Sequence, residues 1–372
     1  MLVGVPKEIK DNEYRVGMVP ATVRELVANG HGVLVETAAG AGAGLADADY
    51  AAAGAEIVAG AEQVYARAEL IVKVKEPLPQ ERKLLRRGQI LFTYLHLAPD
   101  PQQTEDLLQS GVTAVAYETV TSPHGTLPLL TPMSEVAGRM APHVGAHYLE
   151  KASGGRGVLL AGVPGVSPAT VVILGGGVAG SNAAFIASGL GADVTVLDRN
   201  PEVLRRLAAQ FGNRVRTVFS TPDVVDAFCR RADLVVGTVL VPGAAAPKLI
   251  SAQTVKAMKA GSVIVDISID QGGCAETSRP TTHSRPTFVV DGVIHYCVTN
   301  MPGAVARTST FALSNVTVPF VLALADKGVR RAMADDPHLR HGLNVHDGHV
   351  THRAVAGALK LRYVAPEEIL RI

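Results

Sequence analysis

Short runs of aliphatic and β-branched residues alternate with amphipathic stretches from the first residue of the chain. Residues 2–5 (LVGV) predict a strand, and residues 21–29 predict a helix that Gly30 stops. Residues 32–36, 70–75, 89–96 and 112–118 predict further strands, with helical segments between several of them. These runs are apolar throughout rather than alternating, which predicts burial on both faces; helical crossovers between such strands predict a parallel sheet. A second block opens with a long connecting helix over residues 134–151, followed by a loop-rich stretch punctuated by Gly154, Gly155, Gly157, Gly162, Pro164, Gly165 and Pro168. The alternation then restarts, with strands at 170–174, 193–198, 214–219, 234–237, 262–269 and 287–290, and ends near Val305. From Thr308 the pattern TSTFALSNVTVPFVLALADKG is helical and returns to the first block. The expected fold is α/β, with two domains built on parallel sheets. One is discontinuous (1–133 and 306–372), and the other (134–305) is inserted in it.

The best-placed motif is Gly175-Gly176-Gly177-Val178-Ala179-Gly180, a G-x-G-x-x-G. In isolation the pattern is common. Here it follows the apolar run VVIL, opens a helical stretch near Ser181, and precedes the strand VTVL and Asp198, 18 residues past Gly180. A dinucleotide-binding Rossmann unit needs these parts in this order, with an acid roughly 20 residues on. Gly175 permits the tight turn, Gly177 lets backbone amides approach a pyrophosphate, and Gly180 lets helix and sheet pack closely; the helix N-terminus favours phosphate charge. Asp198 can accept from both ribose hydroxyls and repels a 2′-phosphate, which favours NAD over NADP. Arg199 works the other way, because a neighbouring arginine accommodates that phosphate.

Composition narrows the classes. With 372 residues, 47% hydrophobic and 19% charged, the chain has material for two cores and is too apolar for disorder. A formal net charge of +1 leaves no electrostatic footprint for nucleic acid or an anionic membrane. Three cysteines (Cys229, Cys274 and Cys297) with no CxxC pair argue against a disulfide framework or a structural zinc site. The opening MLVGVPKEIK has no basic segment ahead of an apolar one, and no run reaches the ~18 consecutive apolar residues of a membrane span. A cytoplasmic protein without a membrane partner is expected.

Ligands of open parallel sheets gather at the C-terminal ends of the strands. Lys75 closes LIVKVK, His96 closes ILFTYLH, Asp270 closes VIVDISID, and Arg15 follows the first strand. Arg15 offers a two-pronged contact to a carboxylate. Lys75 either pairs with that carboxylate or polarises a carbonyl, and His96 suits proton transfer near neutral pH. Asp270 shares that role, orients the imidazole, or simply caps the turn Gln271-Gly272-Gly273. Most lysines and arginines are surface charges and most histidines are structural, so the joint placement at strand ends is what marks these four. Glu118 stands at another strand end without a second ligand in the sequence. The tail histidines His338, His341, His346, His349 and His352 make no metal set, because Gly348 interrupts any helix that would align the last three. Asp335-Asp336-Pro337 reads as a helix or turn boundary, and Cys274 as a packing residue. No metal is expected.

Longer blocks add to the motif. GVPKEIKDNEYRVGMVP, IVKVKEP around Lys75, LFTYLHLA around His96, LPLLTPMSEVAGRM, GVPGV, ADLVVGTVLVPGAAAPKL, VDISIDQGGCAETSRPTTH and YCVTNMPGAV run through nearly the whole chain. In these blocks the sequence resembles the bacterial alanine dehydrogenases of the alanine dehydrogenase/transhydrogenase family. The resemblance implies two Rossmann-like domains with a cleft between them, a discontinuous substrate domain plus an NAD-binding domain, assembled as a homohexamer. It implies NAD-dependent, reversible oxidative deamination of L-alanine to pyruvate and ammonium. Arg15 and Lys75 would bind the substrate carboxylate and carbonyl, and His96 and Asp270 would be the proton donor and acceptor, meeting on domain closure. Beside the motif glycines, Ser134, Val178, Ala179, Asp198, Ser220, Val239, Leu240, Ile267, Asp270, Val298, Asn300 and Met301 would line the NAD site. Two positions depart from the pattern. Val203 stands where a basic residue can serve the adenosine end, with Arg205 or Arg206 as substitutes, and Ala306 stands where a proline is expected. Three rivals stay open: a nucleotide-binding subunit of a proton-translocating transhydrogenase, a non-catalytic NAD sensor, and a dehydrogenase for a larger amino acid. A methylene more or less changes discrimination by only about 1–3 kcal/mol.

Overall fold

The computed structural model describes residues 1–239 and 246–372. In chain order the strands are β1 (Leu2–Val5), β2 (Gly32–Glu36), β3 (Glu56–Val58), β4 (Leu70–Val72), β5 (Ile90–Thr93) and β6 (Thr113–Ala116), then β7 (Thr170–Leu174), β8 (Asp193–Asp198), β9 (Val215–Phe219), β10 (Leu234–Gly237), β11 (Val263–Asp266), β12 (Thr287–Val290) and β13 (Val293–Tyr296), and last β14 (Leu343–His346) and β15 (His349–Val350). The chain divides into two compact units, Met1–Met133 with Gly303–Ile372, and Ser134–Pro302.

The first unit holds an eight-stranded sheet in the order β15-β14-β6-β5-β4-β1-β2-β3. Strands β1 to β6 run parallel, while β14 pairs antiparallel with β6 and β15 antiparallel with β14. The central strands are buried on both faces (Val3, Val5, Ile71, Val72, Leu91, Phe92, Ala114 and Val115), which is why their sequences are continuously apolar. The chain winds outward from β1 through β2 to β3, then resumes with β4 on the other side of β1. The switch point therefore lies between β1 and β4. The second unit repeats the plan with the order β12-β13-β11-β10-β7-β8-β9, parallel except for the edge strand β12, and its switch point lies between β7 and β10.

Strands β3, β13, β14 and β15 lie outside the sequence pattern for identifiable reasons. β3 is three residues long with one of them buried. β13 (VIHY) carries His295 inside the sheet, with its ring bonded to Thr277 Oγ1 (2.8 Å) and the Val293 carbonyl (3.0 Å). β14 and β15 form a hairpin in which His346 stands opposite His349, so two of the last three tail histidines pair across strands, and His352 precedes the next helix. The long helix Ala306–Asp335 lies in a stretch apolar and long enough to cross a membrane by composition, with mean hydropathy 1.5 over its most apolar window. Its buried hydroxyls are bonded within the first unit: Thr310 Oγ1 accepts from the Val16 amide, and Ser314 Oγ meets Thr22 Oγ1 at 2.8 Å. It is a core helix of that unit.

Candidate active site

Four neighbouring strands of the first sheet, β6-β5-β4-β1, each lead into one candidate residue: Glu118, His96, Lys75 and Arg15 in that order. Arg15 is buried, with 2% of its surface exposed. Glu13 grips it from two sides, Nε to Oε1 at 2.7 Å and Nη2 to Oε2 at 2.6 Å. Burial works against the guanidinium charge, but the Glu13 contact outweighs it and holds the pKa above the ordinary arginine range. Nη1 faces Met133 Sδ at 3.1 Å, a weak acceptor that a carboxylate oxygen can displace.

Lys75 stands three residues beyond Val72, the last residue of β4; two further bonds to the β5 segment follow, from the Lys73 amide to the Phe92 carbonyl and from the Tyr94 amide to the Val74 carbonyl. Past that point the Val74 amide donates to Glu8 Oε1 at 2.7 Å, and the Lys75 carbonyl accepts from Thr93 Oγ1 at 2.9 Å. The preceding lysine, Lys73, is fully buried and bonds Glu8 Oε2 (3.2 Å) and Glu81 Oε1 (2.6 Å). Burial alone would lower its pKa; Glu8, Tyr65 and Glu81 outweigh it and hold the ammonium well above the usual range.

His96 has an exposed ring on a left-handed backbone, φ 50°, a conformation that costs non-glycine residues about 1–2 kcal/mol. Its amide donates to Glu118 Oε1 at 2.7 Å, and the Leu95 amide reaches both Glu118 oxygens at 3.2 Å. The imidazole Nδ1 lies 3.9 Å from the same carboxylate. Tyr94, anchored by its hydroxyl to the Leu129 carbonyl (2.5 Å), stacks parallel to the His96 ring at 6.0 Å. The expected strand over 89–96 ends early, at Thr93; the Tyr94 amide still reaches the Val74 carbonyl, and the Glu118 carboxylate takes the Leu95 and His96 amides beyond it. Sequence reasoning left Glu118 without a partner and missed Glu8, Glu13 and Tyr94; the hydrogen bonds of Glu118, Glu8 and Tyr94 described here span 22 or more residues of chain, whereas Glu13 meets Arg15 and Tyr94 stacks on His96 only two residues away.

In the second unit the glycine turn sits at the switch point. Gly175 has φ +99°, and a Cβ on Gly180 would stand 1.8 Å from the Gly175 carbonyl oxygen. Among the described residues a Cβ on Gly177 would meet nothing within 4 Å, so the space beside that backbone is open. The helix Val178–Gly189 starts there, three residues before the expected Ser181. Asp198 closes β8 and accepts from the Gly176 amide (2.6 Å) and the Asn200 amide (2.8 Å). The Thr238 hydroxyl ties the turn to the end of β10 through the Leu174 and Gly175 carbonyls. An open glycine, a helix N-terminus and an acid at the neighbouring strand end fit a dinucleotide pyrophosphate and ribose. Val203 packs over Gly176, Arg206 donates to the Gly176 carbonyl (2.7 Å), and Arg205 pairs with Glu202.

The remaining expected cofactor positions divide by burial. Ser220 is buried, its amide on the Asp198 carbonyl; Val298 and Met301 are also buried. Ser134, Ala179, Val239, Ile267 and Asn300 are half-buried, and Val178 is exposed. Asn300 takes a left-handed backbone (φ 68°), and its carbonyl accepts from His283 Nε2 at 3.0 Å. Leu240 lies outside the described residues. Asp270 is not on a strand: β11 stops at Asp266, and Ile267–Gln271 is a 3-10 turn. Asp266 causes the stop, since its carboxylate takes the Ser268 and Cys274 amides and the Ser278 hydroxyl (3.1, 2.8 and 2.6 Å). Asp270 is exposed on that turn. Among the described residues no group of three or more His, Cys, Asp or Glu is arranged to hold a metal ion.

Two doubly wound units in one chain, one with a glycine-rich turn at its switch point and the other with cationic and imidazole groups beyond its strand ends, define an oxidoreductase of the dinucleotide-binding type. The chain belongs to the alanine dehydrogenase/PNT family. The description "Alanine dehydrogenase/PNT, N-terminal domain" matches residues 4–137, and "Alanine dehydrogenase/PNT, C-terminal domain" matches residues 141–353. The chain is 60% identical to the alanine dehydrogenase of Halomonas elongata over 370 residues, covering 100% of both chains. A solved L-alanine dehydrogenase matches with a TM-score of 0.94 at 53% identity, covering 97% of this chain and 99% of that one. A transhydrogenase from Sinorhizobium meliloti matches with a TM-score of 0.81 at 26% identity, covering 95% and 100%. The family expected from the sequence blocks is the family found.

Proposed function

We propose that the chain catalyses the reversible oxidative deamination of L-alanine to pyruvate and ammonium with NAD. The observation that supports this reading is that four neighbouring strands of the first unit, β1, β4, β5 and β6, lead into the segments that carry Arg15, Lys75, His96 and Glu118. The first unit thus handles the substrate and the second the cofactor. Gly175, Gly177, Val178, Ala179 and Gly180 would cradle the pyrophosphate, Asp198 the ribose, and Ser134, Ser220, Val239, Leu240, Ile267, Val298, Asn300 and Met301 the rest. Bound NAD supplies the acceptor for the Cα hydride.

Arg15, squared by Glu13, takes the substrate carboxylate in two-pronged fashion, and Lys75 holds the oxygen of the carboxylate or carbonyl. His96 removes a proton from the water that adds to the imine carbon and returns one to the departing amine. Asp270 is the second proton-handling group. Compared with the transhydrogenase alternative, an amino-acid pocket gives these cations and the imidazole a task, and the higher identity to alanine dehydrogenases favours the same reading. A cytoplasmic homohexamer with small-molecule partners, and neither nucleic acid nor membrane, completes the proposal. The test is NADH oxidation with pyruvate and ammonium, run beside His96→Ala. General acid–base work contributes roughly 10²–10⁴-fold, so the variant should lose about that much of kcat. A wild type that binds NADH without turning over pyruvate would remove the reading.

A further inference from the structure

The first unit buries an ion group that neither substrate nor cofactor chemistry calls on. Lys73, Glu8 and Glu81 have side chains 0%, 2% and 3% exposed. The Lys73 ammonium bridges the two carboxylates, at 3.2 Å from Glu8 Oε2 and 2.6 Å from Glu81 Oε1. As a stability device this is a poor choice, because desolvating such charges offsets their attraction, and apolar replacements are often neutral or stabilising. What the carboxylates do with their remaining capacity is informative. Glu8 Oε1 accepts the Val74 amide at 2.7 Å and lies 3.4 Å from the Lys75 amide. Glu81 Oε2 accepts the Leu78 amide at 2.8 Å, and its Oε1 also takes the Tyr65 hydroxyl at 3.1 Å. The two acids therefore clamp the chain on both sides of Lys75, and Lys73 locks the acids together. A third tie, Lys10 to Glu76, joins the same two loops nearer solvent. The loop that contributes Glu8 and Lys10 also carries Glu13 and Arg15.

We infer that Glu8 and Lys73 are positioning residues that set the Lys75 ammonium against Arg15, so that one substrate carboxylate or carbonyl meets both cations in register. This rests on the proposed role of Lys75. Substrate affinity should depend on the clamp while cofactor affinity should not, because every contact of the clamp lies within the first unit.

The test is steady-state kinetics of reductive amination for Glu8→Gln, Lys75→Ala and the double variant. Glutamine keeps an acceptor for the amides but turns an NH₂ group toward the Lys73 ammonium. Glu8→Gln should raise the KM for pyruvate about tenfold and leave the KM for NADH within about twofold of wild type. In the Lys75→Ala background Glu8→Gln should have no further effect beyond about threefold, because residues acting through one group are not additive. A purely structural role would instead move both KM values, or multiply with the Lys75→Ala loss, and either result overturns the inference. An unchanged pyruvate KM in Glu8→Gln, with Lys75→Ala strongly impaired, overturns the clamp alone. An unimpaired Lys75→Ala overturns both the clamp and the role of Lys75. Should Glu8→Gln not fold, Lys10→Ala decides, since Lys10 is 38% exposed. The same KM split supports the clamp, and a wild-type pyruvate KM overturns it.

Discussion

Glu118→Ala tests whether the left-handed backbone at His96 is held by that carboxylate. The conformation costs about 1–2 kcal/mol for a residue with a Cβ. A hydrogen bond from an amide to a charged carboxylate contributes about 1.5–3 kcal/mol, and the half-buried Glu118 accepts one at 2.7 Å from His96 itself. The bond thus matches or exceeds the strain. Without it the left-handed conformer sits about 1–2 kcal/mol above its relaxed competitor and is populated at roughly 3–20%. Loss of kcat in the same proportion is about 5- to 30-fold, with NADH binding unchanged, because Glu118 and His96 both belong to the first unit. Glu118→Gln keeps a neutral acceptor worth about 0.5–1.5 kcal/mol, which nearly balances the strain, so its loss should be only about two- to fivefold. The assay is NADH oxidation with saturating pyruvate and ammonium, with thermal unfolding recorded for each variant. A Glu118→Ala enzyme with wild-type kcat would refute the reasoning. An equal loss in both variants would show that the charge near the imidazole matters and the backbone hold does not.

Two glycines of the nucleotide turn separate binding from folding. Gly177→Ala should leave the unfolding temperature unchanged, because its Cβ meets no atom within 4 Å. It should raise the KM for NADH about tenfold or more, the equivalent of one lost amide–phosphate contact. Gly180→Ala should lower the unfolding temperature, because its Cβ would stand 1.8 Å from the Gly175 oxygen and overpacking costs about 1–3 kcal/mol; equal stability of the two variants would contradict this. Burial pushes the Cys229 and Cys297 thiols up to about 12 and the Cys274 thiol well above its usual range, so Ellman's reagent should label none of them at pH 8 before unfolding. Rapid labelling of the native protein would count against the packing described here. Burial also holds His295, His346 and His352 below the ordinary histidine value. The unfolded chain takes protons near pH ~6.5 that the folded chain refuses, so their contribution is full above that pH and is lost as pH falls through the folded values. The unfolding temperature should drop from pH 7.5 to 5.5, less steeply in His295→Gln, and an identical slope in that variant would exclude His295 as a source.

The strands that the apolar pattern predicts best are those whose residues all enter the sheet: β1, β2, β7, β8, β10 and β12 carry the expected bounds. Those it overruns lead into residues proposed for the site. The patterns over 70–75, 89–96 and 262–269 continue past Val72, Thr93 and Asp266, where the regular strands end; between β4 and β5 two more backbone bonds follow, Lys73 amide to Phe92 carbonyl and Tyr94 amide to Val74 carbonyl. Within two residues of each strand end a carboxylate takes an amide: Glu8 that of Val74, Glu118 those of Leu95 and His96, and Asp266 that of Ser268. Hydropathy reports which side chains are apolar, and the residues after these stops remain apolar. It says nothing of where a backbone N–H donates, and two of the three acceptors lie 22 or more residues away in sequence. The glycine turn was legible because its parts are contiguous and its acid falls at a fixed spacing. Lys75, His96 and Asp270 were legible as residues because polar side chains interrupt apolar runs there, but their irregular backbone was not, since acids remote in the chain impose it at Lys75 and His96. The same disagreement between pattern and pairing coincides with the proposed site: an apolar run that outlasts its sheet, with a carboxylate on the amides beyond it, leaves a polar side chain outside the regular ladder.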